Sequence, residues 1–332
     1  MQCLRTLRLD TGIDIGAIAQ IGRLSSLQTL HLVPSIGPLS LAGLPQGGLF
    51  HHLRSFSFRS SLDRGIQFVT QFVRSWANPP LRSFEVEYGS FPTAAASEEL
   101  YRALSHHCSL NALETLKVEM PDDDTPAEEQ YIISGQAVKL LFCFTSLKIV
   151  SIISPAGFLL DDATITELAS AWPQIEELHL AAHDHMHQCG SLLALHAFAR
   201  HCPNLRSLEL SFDALSVPPP DQELYRRQQL LHPALTKLNV AFSLISHAFS
   251  VARFISATFF NVTELVTALE DHGIQDVDEA ANPRYAAQMR CHILWKDVEE
   301  LLPGLNDIRA EFHWGEHSID QTEYFPFEFN TQ

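Results

Sequence analysis

Residues 202–211 read CPNLRSLELS, and this stretch decides the fold. Leu205 opens a phrase that continues with apolar residues three and five positions on, Leu208 and Leu210, while Ser207, Glu209 and Ser211 alternate with them. Alternation of that kind is a short strand with one buried face. Upstream, Leu192, Leu193, Leu195, Phe198 and Ala199 recur at helical spacing. Pro203 biases Cys202 out of the helical region, so the helix ends near His201 and Cys202. One unit is therefore a helix, a turn and a short strand.

The phrase recurs along the whole chain. It stands at Leu4-Leu7-Leu9, Leu27-Leu30-Leu32, Leu53-Phe56-Phe58, Leu81-Phe84-Val86 and Leu113-Leu116-Val118. It continues at Leu147-Val150-Ile152, Ile175-Leu178-Leu180, Leu205-Leu208-Leu210, Leu235-Leu238-Val240 and, more weakly, Val262-Leu265. Successive starts lie 23, 26, 28, 32, 34, 28, 30, 30 and 27 residues apart. A fixed phrase at such a period marks a leucine-rich solenoid, in which each unit packs only on its neighbours. The expected fold is an α/β horseshoe with parallel strands on the concave face and helices on the convex face. We expect one domain over residues 1–332, with ten irregular repeats in 1–312 and an aromatic tail, 313–332, that covers the last repeat.

Other convex helices are expected at Ile66 to Trp76, Glu98 to His107, Gln136 to Phe144, Ala163 to Trp172, Ser246 to Phe260 and Lys296 to Leu302. Three positions before the phrase stand Met1, Leu24, Phe50, Leu110, Phe144, Trp172, Cys202, His232 and Phe259, a column that fills the space between helix and strand. Asn78 breaks this column, and Trp76 is expected to pack in its stead. Residues 119–130 and 213–222, one acidic and the other holding Pro218, Pro219 and Pro220, read as solvated excursions.

Net charge is −17, and a polyanion repels phosphate, so neither nucleic acid nor an anionic membrane is an expected partner. Arg5, Arg8 and Asp10 interrupt any secretory apolar region at the start. The most membrane-like stretch, Val138 to Leu160, carries Lys139, Lys148 and Pro155 and contains a full phrase, so it reads as a buried helix, loop and strand. Six cysteines without a CxxC pair suit a reducing compartment, cytoplasmic or nuclear.

The order of helix, Cys or Trp, Pro, then Leu-x-x-Leu-x-Leu resembles the leucine-rich repeats of F-box proteins, and the irregular repeat lengths resemble those common in basidiomycete fungi. The resemblance implies the substrate-recognition arm of a ubiquitin ligase, joined to a ligase adaptor through an F-box. Two features depart from the pattern. No Asn follows the phrase, whose place is taken by residues such as Gly89, Pro121 and Asp213, and no F-box is seen. The first repeat begins at Leu4, so either the chain is a fragment, or its first repeat is frayed, or a partner covers it.

Chemistry has few footholds. His183, His185 and His187, followed by Cys189, are candidate metal ligands, because alternate side chains point the same way and imidazole binds transition metals. Their spacing matches no established site, and a polar loop is the preferred reading. No GxSxG, P-loop or GxGxxG sequence occurs, and Asp122, Asp123 and Asp124 lack the rest of a calcium loop. No cofactor and no catalysis are expected.

What remains is the concave face. In each strand the residues between the buried ones point into the horseshoe. Its central candidates for protein binding are Arg59, Glu85, Glu87, Lys117, Glu119, Ile149, Ile153, Glu177, His179, Glu209 and Lys237. The middle is acidic and would steer a basic protein partner, with Ile149 and Ile153 as an apolar patch. The expected function is a non-catalytic protein-interaction scaffold. The alternatives are a binding protein unrelated to ubiquitin and, more remotely, a metal-dependent protein using the His183–His187 loop.

Overall fold

The computed structural model describes residues 4–10, 14–34, 41, 43–60, 65–119, 128–182, 190–218, 232, 234–271 and 283–316. Within them the chain forms a mixed α/β structure built on one large parallel sheet. Its ten strands are Thr6–Leu9, Thr29–Leu32, Ser55–Ser60, Ser83–Tyr88, Thr115–Glu119, Ile149–Ser154, Glu177–Ala182, Ser207–Glu209, Lys237–Asn239 and Glu264–Val266. They neighbour one another in chain order, and each adjacent pair is parallel.

The register explains why the phrase repeats. Leu7, Leu30, Phe56, Phe84, Leu116, Val150, Leu178, Leu208, Leu238 and Leu265 are paired strand to strand in a single row. Except at Leu7, every side chain of this row is buried. Side chains on a strand alternate between faces, so the residues five positions into each phrase join the same buried layer. The strand entrances are tied by a second regularity. The carbonyl of Arg54 accepts from the amides of Arg82 at 2.6 Å and Ser83 at 3.1 Å, and equivalent paired bonds run from Arg5 to Thr236. Each repeat thereby satisfies two amides on its neighbour.

Helices cover the buried face. They span Ile15–Ile21, Gly65–Arg74, Ala94–His107, Gly135–Lys139, Asp162–Ala171, Ala194–His201, Ala248–Thr258, Ala268–Asp271 and Pro283–Glu316. Phe72 and Phe68 of the Gly65–Arg74 helix stack on Phe56 and Phe58 of the third strand, with ring centroids 5.2 and 5.4 Å apart. Side-chain oxygens cap several helix starts: Thr93 accepts from Ala96, Ser134 from Ala137 and Asp161 from Thr164. The six convex helices expected from the sequence are all present, although the one expected at Lys296 to Leu302 lies inside Pro283–Glu316. Among the described residues no helix is long and apolar enough to cross a membrane. The Val138 to Leu160 stretch is a helix end, a turn, the sixth strand and a two-residue strand, Phe158–Leu159.

Two details depart from the expectations. Ile15–Ile21 is an additional helix, capped by the Asp14 carboxylate, which accepts from the amides of Gly16 and Ala17. Leu110 does not join the column between helix and strand but is exposed, and Cys108 is buried five positions before Leu113. Trp76 packs in place of Asn78 as expected, buried five positions before Leu81, between Phe56 and Phe84. The two turns are longer than their counterparts, and Asn78, at φ 53°, provides the left-handed residue that one of them needs. Of the remaining column residues, Phe50, Phe144, Trp172, Cys202, His232 and Phe259 are buried, Leu24 is half-buried and Met1 lies outside the described residues.

The two ends of the sheet differ. At the tenth strand the Pro283–Glu316 helix packs on Ala248–Thr258 and buries Trp295, Val298 and Leu302. The Trp295 indole donates to the Ser243 carbonyl at 2.9 Å, and Lys296 pairs with Glu270 at 2.8 Å. At the first strand Leu7 and Leu9 remain half-buried. Residues 317–332, which include most of the expected aromatic tail, lie outside the described residues.

Candidate protein-interaction face

The face of the sheet opposite the helices is open. Its side chains fall into rows set by the strand register. One row runs Arg8, His31, Ser57, Glu85, Lys117, Ser151, His179, Glu209 and Asn239. A second runs from Ser55 through Ser83, Thr115, Ile149, Glu177, Ser207 and Lys237 to Glu264. A third begins Arg59, Glu87, Glu119, and on the sixth and seventh strands it holds Ile153 beside Ala181. The register thus carries Arg59, Glu85, Glu87, Lys117, Glu119, Ile149, Ile153, Glu177, His179, Glu209 and Lys237 onto one surface, each exposed or half-buried.

The charges on this surface are partly matched across strands. Arg59 meets Glu87 at 2.6 Å, and Lys237 meets Glu264 at 2.7 Å. The Ser83 hydroxyl donates to Glu85 at 2.8 Å. Glu87 also has Glu119 as its register neighbour, so two carboxylates stand side by side with Arg59 on the far flank. Ile149 and Ile153 flank Ser151 on the sixth strand, which places an apolar strip between the acidic fourth and fifth strands and His179.

His179 is the titratable centre of the face. Its Nε2 lies 3.0 Å from the Ser207 hydroxyl. Burial pushes its pKa down, Glu177 and Glu119 oppose this, and Lys237 and Lys117 add to it. The ring is therefore neutral at pH 7 and works as a hydrogen-bonding group. Among the described residues no cluster of three or more His, Cys, Asp or Glu is placed to hold a metal ion. His183, His185 and His187 lie outside the described residues.

No family model matches the chain, and no curated protein matches it. A solved structure similar to it is that of the yeast Rad7 and Elc1 complex, at 13% sequence identity and a TM-score of 0.33, over 79% of this chain and 75% of that chain. At that distance the likeness carries no argument about this chain.

The alternation of the phrase was enough to find the face. It missed Glu264, which neutralises Lys237, because the tenth phrase is only two residues strong. The available signal was positional: Glu264 stands two residues after Val262, as Lys237 stands two after Leu235.

Proposed function

We propose that the chain is a leucine-rich-repeat solenoid that acts as a non-catalytic protein-interaction scaffold through the open face of its sheet. The observation that carries this reading is the ten-strand register, which turns scattered side chains into one continuous surface. The surface combines what protein interfaces use: an apolar strip at Ile149 and Ile153, with charged and hydrogen-bonding groups around it. Glu85, Glu87, Glu119 and Glu177 favour a basic partner segment, and the net charge of −17 disfavours nucleic acid and anionic membrane. We place its action in the cytoplasm or nucleus.

A finer reading is the substrate-recognition arm of an F-box ubiquitin ligase, in which other subunits perform the transfer and this chain positions the target. It rests on the phrase itself, preceded by a helix and by Cys-Pro or Trp-Pro at Cys202-Pro203 and Trp172-Pro173. Co-precipitation of ligase adaptor and cullin subunits with the chain from its native cell supports this reading, and their absence while other partners are retained overturns it.

The scaffold reading is tested by replacing Glu85, Glu87 and Glu119 together with Lys and titrating a fluorescent oligolysine peptide. Binding is expected to weaken at least tenfold, since electrostatic complementarity is reversed, with the melting temperature unchanged. Equal binding by wild type and variant removes the open face as the site.

A further inference from the structure

The strand entrances form a second surface, distinct from the open face. The position after each phrase-opening residue holds Arg5, Arg54, Arg82, Lys148 and Arg206, so five of the chain's 22 Lys and Arg fall in ten positions. Only Glu114 and Glu176 oppose them there. This is a cationic rim on a chain whose net charge is −17.

Its middle sets three cations, Arg54, Arg82 and Lys148, against one shared carboxylate, Glu114. The amide of Arg82 donates to the carbonyl of Arg54, that of Glu114 to Arg82, and that of Lys148 to Glu114, at 2.6 to 2.8 Å. The four side chains therefore stand on consecutive rungs, roughly 4.8 Å apart. Glu114 is shared, with Lys148 at 3.0 Å and Arg82 at 3.7 Å. Among the described residues no carboxylate comes within ion-pair distance of Arg54. These groups line a shallow hollow of about 380 Å³, whose walls also offer the polar side chains of Asn111, Ser146 and Gln174.

We propose that this rim binds a short, extended acidic segment of a partner protein. Four rungs cover roughly 14 Å, the length of four or five extended residues. Guanidinium groups donate to carboxylates in a two-pronged fit, and the backbone ladder holds the rungs at fixed spacing. A short acidic peptide suits the hollow better than a nucleic acid, because a long polyanion also meets the repulsion of the remaining chain. The rim uses side chains at the strand starts, so the proposal stands independently of the open-face reading.

The test is fluorescence anisotropy with a fluorescein-labelled oligoglutamate peptide at about 0.15 M salt, where charges more than about 8 Å apart are largely screened. Wild type is expected to bind saturably, and the Arg54→Glu, Arg82→Glu variant to bind about tenfold more weakly with an unchanged melting temperature. An Arg102→Glu, Arg200→Glu variant makes the same change of charge on the helices that cover the buried face and is expected to bind within about twofold of wild type. Should the double variant misfold, Arg54→Gln alone is expected to weaken binding about threefold. The proposal is overturned if wild type does not saturate, if the two charge-matched variants weaken equally, if neither rim variant weakens binding, or if oligothymidylate binds the rim more tightly than oligoglutamate.

Discussion

His232 donates a hydrogen bond from Nε2 to the carbonyl oxygen of Cys202, one repeat back, across 2.6 Å. Its other nitrogen, Nδ1, accepts from the amide of Leu235 at 3.2 Å, which assigns the ring proton to Nε2. The residues in the same column do likewise. The Cys202 thiol donates to the Ala169 carbonyl at 3.4 Å, and the Trp172 indole donates to the Leu141 carbonyl at 3.4 Å. Carbonyls at helix ends lack partners within their own helix. In three successive repeats the residue before the proline donates to a carbonyl at or just after the end of the preceding repeat's helix, and at Leu141 and Cys202 it adds to a backbone amide already bonded there.

Burial of the His232 ring makes stability depend on pH, and its bond to the Cys202 carbonyl only partly opposes this. Burial pushes the His232 pKa below its ordinary value of 6.5, so the folded state holds fewer protons than the unfolded state just below that value. The contribution is complete above pH 6.5 and is lost as pH falls toward and through the folded value. His179 acts in the same direction. Melting temperature is expected to fall between about pH 7.5 and 5.5, and a His232→Phe variant to lose less over that window than wild type. Equal losses in the two proteins would show that the ring's protonation does not matter.

Leu208 is fully buried between Leu178 and Leu238 in the row of ten. Leu208→Ala opens a cavity between two repeats and is expected to cost about 2–5 kcal/mol in urea unfolding. An unchanged midpoint would contradict the packing of the row.

Trp295 fastens the terminal helix. It is buried, meets Phe212 edge-on at 5.8 Å and donates to the Ser243 carbonyl. Trp295→Ala is expected to cost about 3–5 kcal/mol and to speed hydrogen exchange across residues 283–309 ahead of the central strands. Trp295→Phe keeps most of the packing and loses the bond, at about 1 kcal/mol.

The ion pair of Arg59 and Glu87 is short but lies in solvent, with side chains 69% and 34% exposed. A double-mutant cycle to alanine is expected to give a coupling below about 1 kcal/mol. A larger coupling would assign the pair a structural role and spoil Glu87 as a probe of binding.

Much of this architecture is legible in the residues. Leu205, Leu208 and Leu210 announce a strand with one buried face, and the ten phrases align it with its neighbours. Pro203 announces where the preceding helix stops. The Ile15–Ile21 helix was hidden because it is only seven residues long and Gly16 sits in its first turn, although Asp14 is a fitting cap. The column residues could be picked out as fillers, but not as hydrogen-bond donors. That Trp172, Cys202 and His232 reach a carbonyl about thirty residues back depends on how closely the two helix ends approach.

By itself the sequence determined which side of each strand is inside, because side chains alternate strictly along a strand and the apolar phrase can bury only one face. Tertiary structure decided what that pattern leaves open: that Arg59 spends its charge on Glu87 and Lys237 on Glu264, that Arg54 has no such partner among the described residues, and that a long helix covers one end of the sheet. Those outcomes join residues of different repeats. They depend on distances between elements that local pattern does not contain.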